Sequence, residues 1–589
     1  MEIVYLYIEN DGRNIKNCEF NFSPKYRFHF DKNKRKLSLT KGEPLPSGWF
    51  GTNIDNVTAI IGKNGAGKSN LIESIVNVLC GNGGGLVIWS YKGKLYRNKQ
   101  YLPLESDFPI KELAFWWSPF NNIDNCERIT DAAVIYYSPN NDRIIQNKSL
   151  LHGFIDMSTA CLLREKKHYV NEKNNSYYFY DIDYLQITDT CRQILFFKNF
   201  KHDFFPEDIR VPEYLKMTLR SYDVINQKHP TFVRLMKDVD NSFIGQLQSI
   251  LLKQFFSKNT IPETLDSETT FEDVLRCFFL NTTERPNIYD ELIDLYSKDN
   301  ISCKLNKRKG LSKWDEFTFS IKKNALNERF MTALFGYYHA QEPCYSSFST
   351  LEHHKDIANN EISIRWDGLS SGELAFYNFL ARINSGIISQ YKGEVHDQAK
   401  VETTIYNNNK IKSLILLLDE PELSFHPEWQ QKFINLFFLS LEKLHPEFRF
   451  QVIIASHSPI LVSDFPQRNI IFLDKDCCNG NCKPIDSITR ENTFGANIHT
   501  LYKNSFFLAG IPIGEFAKNK INRLFVELEK GIIRNDTLQE IQLIGEPIIK
   551  SQLLKLYQQY DNLPPYIDKR ISRLEEEVKM LKSQLNDKD

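Results

Sequence analysis

Residues Gly62-Lys63-Asn64-Gly65-Ala66-Gly67-Lys68-Ser69, followed by Asn70, spell a complete Walker A phosphate loop. Before it, Val57-Thr58-Ala59-Ile60-Ile61 is apolar and β-branched; after it, Leu71, Ile72, Ile75, Val76 and Leu79 recur at helical spacing. A strand, a glycine loop and a helix in that order predict backbone N–H groups turned inward around phosphate oxygens, with the positive end of a helix dipole behind them. Lys68 is then expected to meet the β- and γ-phosphates of a nucleoside triphosphate, and the Ser69 hydroxyl to hold Mg²⁺. An incidental lysine in a glycine turn would account for the letters but not for their place between strand and helix.

A second constellation lies far downstream. Leu414-Ile415-Leu416-Leu417-Leu418 leads into Asp419-Glu420-Pro421, which puts two carboxylates at the end of a buried strand, where open α/β sheets place their ligands. This is a Walker B motif. Asp419 suits Mg²⁺ beside Ser69, and Glu420 suits the water that attacks the γ-phosphate. The next β-rich run ends in Ala455-Ser456-His457-Ser458-Pro459, so His457 is expected to touch the terminal phosphate and distinguish ATP from ADP. Without the phosphate loop, Asp-Glu-Pro reads equally well as a helix cap and His457 as a structural histidine.

Between the two Walker motifs, Leu369-Ser370-Ser371-Gly372-Glu373 precedes a helix. It resembles the signature of the ABC superfamily, which spans transporters, SMC-like and RecF-like proteins, and the order Walker A, signature, Walker B, switch histidine is that superfamily's order. The resemblance covers about residues 1 to 145 and 361 to 510. It implies an α/β fold with a mostly parallel sheet and a head that dimerises through ATP. In such a dimer Ser370, Ser371, Gly372 and Glu373 of one copy close over the nucleotide on the phosphate loop of another. No glutamine follows Tyr137, leaving Asn140 or Asn141 as weak stand-ins for a Q-loop residue. Trp49 and Phe50, just upstream of the loop, are the aromatic candidates for stacking on adenine.

The chain has 589 residues, 42% hydrophobic and 25% charged, with Lys plus Arg at 73 against Asp plus Glu at 74. No global field selects nucleic acid, so any DNA contact must come from a local patch such as Lys32, Lys34, Arg35 and Lys36 or Lys304, Lys307, Arg308, Lys309 and Lys313. Solvated loops explain such runs as readily. The N-terminal run Met1 to Glu9 alternates like a strand and has no basic leader, and no stretch reaches the ~18 apolar residues of a membrane span. A cytoplasmic chain without membrane partners is expected. Its 11 cysteines are an odd number and mostly scattered, as in a reducing compartment. Cys477, Cys478 and Cys482 cluster in a turn, but a structural zinc site needs a fourth ligand.

Four segments follow: an ATPase lobe over 1–145 and a largely helical insertion over 146–360, with Leu251, Phe255, Phe256, Phe278, Phe279, Leu292 and Leu295 as its core. A second ATPase lobe over 361–510 starts with the strand Ile362-Ser363-Ile364, and a helical tail covers 511–589. In the tail Ile567, Ile571, Leu574, Val578, Leu581 and Leu585 form a short a/d seam.

The run Glu422-Leu423-Ser424-Phe425-His426-Pro427 is unlike the transporter D-loop and is similar to that of OLD-like defence ATPases. Thr493-Phe494-Gly495-Ala496-Asn497-Ile498-His499, with Phe506-Phe507-Leu508 and Ile513-Gly514-Glu515-Phe516, resembles the PtuA-type ATPases of the Septu antiphage system. That resemblance implies a separate HNH nuclease partner of the PtuB type. Because Septu-type ATPases also accompany some retrons, it extends to a retron reverse transcriptase and its RNA/DNA. Three rivals stand beside it. An OLD-type enzyme would carry its own Toprim nuclease, for which only Leu473-Asp474-Lys475-Asp476 is available. A RecF-like or SMC-like repair ATPase would clamp DNA, and a transporter motor would need membrane partners.

Overall fold

The apolar run before the phosphate loop becomes the strand Ile54–Gly62, and the helix Lys68–Leu79 starts inside the loop. The computed structural model describes residues 1–79, 85–98, 105–115, 127–129, 131–140, 154–164, 167–172, 175–180, 182–198, 209–221, 226–257, 262, 265–266, 268–279, 286–303, 315–341, 362–392, 411–486, 491–498, 501 and 515–559. Met1–Phe507 pack as one compact unit and Leu508–Asp589 as another.

In the first unit Ile54–Gly62 is interior to a seven-stranded sheet with the order Phe154–Asp156, Ala132–Tyr137, Ser413–Asp419, Arg449–Ser456, Ile54–Gly62, Ile470–Lys475, Cys482–Ile485. Every neighbouring pair is parallel except the last. The Walker B run is buried along its whole length, as both faces of a covered parallel strand must be. Its side chains alternate. Leu414, Leu416 and Leu418 pack with Phe376, Phe379, Phe433 and Phe437 of the helices Ser371–Lys392 and Pro427–Leu444, whereas Ile415 and Leu417 pack with Ile72, Ile75 and Val76 of the phosphate-loop helix.

That helix lies between two sheets. Its other side meets Leu6, Ile8, Val87 and Trp89 of a six-stranded, largely antiparallel sheet built on Glu2–Asn10 and Gly85–Tyr91. Polar side chains inside apolar runs join the layers. Gln451 accepts from the Ile3 N–H at 2.7 Å and donates to the Ile3 carbonyl at 2.8 Å, while Asn56 and Thr58 both donate to the Phe22 carbonyl at 2.7 Å. Each buried polar group thereby finds the partner it loses in leaving water.

Residues 146–360, expected from sequence to be a largely helical insertion, supply helices but also the edge strand Phe154–Asp156 of the parallel sheet and three strands of an antiparallel sheet with the order Ile301–Cys303, Asp315–Lys322, Tyr214–Ser221, Ile362–Trp366. Ile362–Trp366, read from sequence as the start of the second ATPase lobe, therefore pairs with the insertion instead. It is an edge strand whose Ile362, Ser363 and Ile364 are partly exposed, with Arg365 exposed and Trp366 buried, unlike the fully buried Walker B strand. Leu251, Phe255, Phe256, Phe278, Leu292 and Leu295 are buried and Phe279 is partly so, in one hydrophobic cluster with Leu414, Leu416 and Leu418 of the Walker B strand. One helix of the insertion, Ile182–Lys198, packs along the signature helix Ser371–Lys392. There Arg382 donates through Nε to Asp189 Oδ1 at 2.9 Å and through Nη1 to Thr159 Oγ1 at 2.9 Å. Burial alone would raise the Asp189 carboxyl; Arg382 and Arg192 outweigh it and hold the group below its ordinary value.

The second unit is helical, with Glu515–Glu529, Thr537–Gln542 and Pro547–Gln558 packed on Leu524, Leu528, Ile541, Leu553 and Tyr557. Arg534 reaches both Glu527, at 3.0 Å, and Glu540, at 2.8 Å. The a/d seam Ile567 to Leu585 lies outside the described residues, as do Asn141, Lys304, Lys307, Arg308, Lys309, Lys313, His499, Phe506 to Leu508, Ile513 and Gly514. Among the described residues no helix is long and apolar enough to cross a membrane.

Two stability predictions follow from buried ionisable groups. Asp189→Ala strands the Arg382 guanidinium, so the unfolding free energy from urea titration should fall by ~3–5 kcal/mol; a loss of under ~1 kcal/mol, typical of an exposed pair, contradicts this role. His445 is buried, its Nε2 is 3.0 Å from Asn384 Oδ1, and desolvation lowers its pKa to about 4 from 6.5. The fold therefore favours the neutral ring. Its contribution is whole above pH 6.5 and is lost as pH falls toward about 4. Across that window the native chain should lose roughly 3 kcal/mol more stability than His445→Gln, and parallel pH curves would contradict it.

Candidate functional site

The ends of three adjacent parallel strands build the site. Arg449–Ser456 lies between the phosphate-loop strand and the Walker B strand, with Asp419 opposite Ala455 and Ser456 opposite Ile61. This register brings Ser69 to Asp419 across most of the sequence, the hydroxyl donating to Oδ1 at 3.0 Å. The two Mg²⁺ candidates thus stand side by side, one neutral oxygen and one carboxylate, a donor set that fits a hard divalent cation.

Within the loop, Gly65 and Gly67 have φ of +74° and +104°, which only glycine adopts without strain. Gly62 has no room for a side chain, since a Cβ there would lie 2.1 Å from the Leu473 carbonyl oxygen. The Lys68 ammonium is buried and donates to the carbonyls of Gly62 at 3.0 Å and Lys63 at 3.2 Å. Lys63 itself turns outward to Asp474, 3.0 Å away. Asp474 belongs to the strand Ile470–Lys475 of the same parallel sheet, so the acidic run Leu473 to Asp476 starts inside the ATPase sheet.

Glu420 has left-handed backbone, φ +52°, an uncommon conformation for a residue with a Cβ. Its N–H donates to the Ala455 carbonyl at 2.9 Å and its carbonyl accepts from Leu423 at 3.1 Å, which fixes the turn. Its carboxylate then meets His457 Nε2 at 3.1 Å through Oε1, and Asn140 Nδ2 at 3.5 Å through Oε2. The hydrogen bond from His457 holds the carboxyl below its ordinary value against the effect of burial, and Asn140 and Lys68 act in the same direction. An ionised Glu420 beside an imidazole can orient a water or take its proton.

The signature run stands apart. Ser370 and Ser371 are exposed at the start of the helix Ser371–Lys392, and among the described residues the side chains of Ser370 and Glu373 bond to each other's backbone. Ser370 and Glu373 form a reciprocal cap: the Ser370 N–H donates to Glu373 Oε2 at 2.7 Å and the Glu373 N–H to Ser370 Oγ at 3.3 Å. The Ser370 hydroxyl accepts in this cap and keeps its own proton for another acceptor.

Trp49 and Phe50 do not reach the nucleotide edge, which corrects their reading as adenine-stacking residues. They precede a strand of nine residues that runs away from them toward the loop, a span of about 26 Å at the usual strand rise. At that far edge Trp49 packs edge-on to Phe494, 5.3 Å between centroids, and Phe50 packs on Phe438 and Phe465. The loop is touched instead by the tip of the hairpin joining Glu2–Asn10 to Lys16–Asn21, which the sequence reading missed. Asn14 donates to the Gly65 carbonyl at 3.1 Å and accepts from Asn70 at 2.7 Å, and Arg13 pairs with Glu73 at 2.7 Å.

The cysteine cluster does not converge. Asp476, Cys477 and Cys478 bring three ligand atoms within 4.8 Å of one another on an exposed turn, but Asp476 Oδ1 already accepts from the Cys478 and Asn479 N–H groups. Cys482 is buried elsewhere, its carbonyl facing the Cys18 thiol at 3.5 Å. In the N-terminal basic run, Lys32 pairs with Glu9 at 2.8 Å and Lys34 with Asp31 at 3.8 Å.

Among proteins of known family, residues 259–463 match the model described as "AAA domain, putative AbiEii toxin, Type IV TA system". The matched span holds the signature run, Walker B and His457, while the phosphate loop lies before it. No curated protein matches the chain. The mixed α/β fold, its parallel sheet and this match support a P-loop ATPase of the AAA/ABC-like type.

Proposed function

We propose that this chain is an ATP-hydrolysing subunit of an antiphage defence complex, similar to the Septu PtuA ATPases, that controls a separate HNH nuclease. The convergence of Ser69, Asp419, Glu420 and His457 on one sheet edge carries the enzymatic half of this reading. The defence half is supported by the Thr493 to His499 run and by a matching family whose description names a toxin–antitoxin system. Thr493 and Gly495 of that run are tied to Phe465 and Ser463, just past the switch histidine.

In this reading Gly62 to Asn70 cradle the phosphates, and Lys68 moves from loop carbonyls to the β- and γ-phosphates. Ser69 and Asp419 would hold Mg²⁺, which would supply positive charge beside the terminal phosphates. Glu420 orients the attacking water, and His457 couples that carboxylate to the γ-phosphate. A second copy supplies Ser370 to Glu373, whose exposed helix start suits an anion. Two observations count against the rivals: Asp474 is committed to Lys63 in the ATPase sheet, which disfavours a Toprim nuclease, and the pairing of Lys32 and Lys34 with carboxylates weakens that basic patch as a DNA site.

Lys68→Ala should weaken ATP binding at least about tenfold, ~1.4 kcal/mol. Glu420→Gln should bind ATP as the native chain does, accumulate as a closed dimer, and lose roughly 10²–10⁴ in kcat. Equal affinities for the two variants, read by equilibrium binding of a fluorescent ATP analogue, contradict the assigned roles. Ser370→Arg should keep monomer affinity and abolish ATP-dependent dimerisation in light scattering; unchanged hydrolysis would overturn the signature assignment. Plasmid cleavage by the purified chain alone would move the reading to an OLD-type nuclease, whereas DNA-stimulated hydrolysis without any nuclease partner would move it to a repair ATPase.

A further inference from the structure

The Walker B turn contains a second glutamate that the chemistry above leaves unused. Glu422 is 3% exposed. Its Oε1 accepts both the Ser456 hydroxyl and the His457 backbone N–H, the latter at 3.2 Å, while Oε2 is buried without a hydrogen-bond partner among the described residues. Burial pushes this carboxyl above its ordinary value. A carboxyl in so dry a place is costly to bury, and the two donors on Oε1 are the contacts that offset that cost.

The contacts of Glu422 continue into the switch segment. Ser456 Oγ also accepts from the Ser458 N–H at 2.9 Å, and Ser458 Oγ caps the helix Pro459–Val462 through the Leu461 N–H at 3.3 Å and donates to Gln430 at 2.7 Å. Ser456 is the last residue of its strand to pair with Ile61, so His457 is the first beyond the ladder. The His457 side chain is 38% exposed, too open for packing to fix its ring. Its position against Glu420 depends on how its backbone is held, and the Glu422 carboxyl holds it.

We propose that Glu422 is a positioning residue for His457: it clamps the Walker B turn to the end of the switch strand, and so sets the rate of ATP hydrolysis rather than the affinity for ATP. The proposal rests on the ATPase reading above. Replacing the carboxyl by a methyl leaves two buried donors, Ser456 Oγ–H and His457 N–H, without an acceptor, and the turn relieves this by drawing apart. Glutamine keeps an acceptor oxygen in place of Oε1.

The test compares kcat, KM, ATP affinity and thermal unfolding of the native chain with those of Glu422→Gln, Glu422→Ala and Ser456→Ala. Glu422→Ala should lower kcat at least ~10-fold with ATP affinity within about twofold, Glu422→Gln should stay within about threefold of native, and Ser456→Ala should fall between them. Should Glu422→Ala unfold at the assay temperature, the glutamine and serine variants decide alone. Native kcat in Glu422→Ala, a glutamine variant as slow as the alanine one, or losses of affinity matching the losses of kcat would each overturn the proposal. A native chain that neither binds nor hydrolyses ATP removes the ATPase reading instead, so the two failures are distinguishable.

Discussion

The register of Ser413–Asp419, Arg449–Ser456 and Ile54–Gly62 is the constraint on which the site depends. Asp419 faces Ser69 only because Asp419 aligns with Ala455 and Ser456 with Ile61. A slip of one residue would exchange the faces of the strand, sending Leu414, Leu416 and Leu418 toward the phosphate-loop helix and moving the carboxylates off the edge. Burial on both faces penalises that slip, and the intervening strand delivers His457 to Glu420. The left-handed turn at Glu420 is held by the same edge, through its hydrogen bond to Ala455.

The layers around this sheet are coupled by polar side chains. Gln451, Asn56 and Thr58 bind the antiparallel sheet, and the hairpin of that sheet brings Asn14 against the phosphate loop. On the opposite face, Arg382 and Asp189 tie the insertion to the signature helix. The insertion is therefore placed to stiffen the segment that, in the proposed dimer, closes over the partner's nucleotide. A desolvated ion pair adds little net stability compared with apolar packing, but it fixes which residues face each other.

How much could be read beforehand depended on sequence distance. The phosphate loop, Walker B, His457 and the helix starts at Gly372 and Pro427 are local patterns, and the structure places each on the expected strand or helix end. Asn14 was illegible because its contact with Gly65 depends on a hairpin folding over the loop, which no spacing encodes. Ile362–Trp366 has the pattern of a strand but no mark of which sheet it joins. Trp49 and Phe50 are near the loop along the chain and far from it in space, because an extended strand runs the depth of the sheet between them. Glu422 appeared only as one letter of a family-like run, and its burial against Ser456 gives that letter a physical reason.

The interior position of Ile54–Gly62 also bears on biosynthesis. Both of its ladder neighbours, Arg449–Ser456 and Ile470–Lys475, are made about 400 residues later, which at ordinary translation speeds means a wait of roughly 20–80 s. Throughout that interval an apolar segment with two open hydrogen-bonding edges must be kept from pairing with other nascent chains. The antiparallel sheet, complete far sooner, is the first surface against which it can shelter.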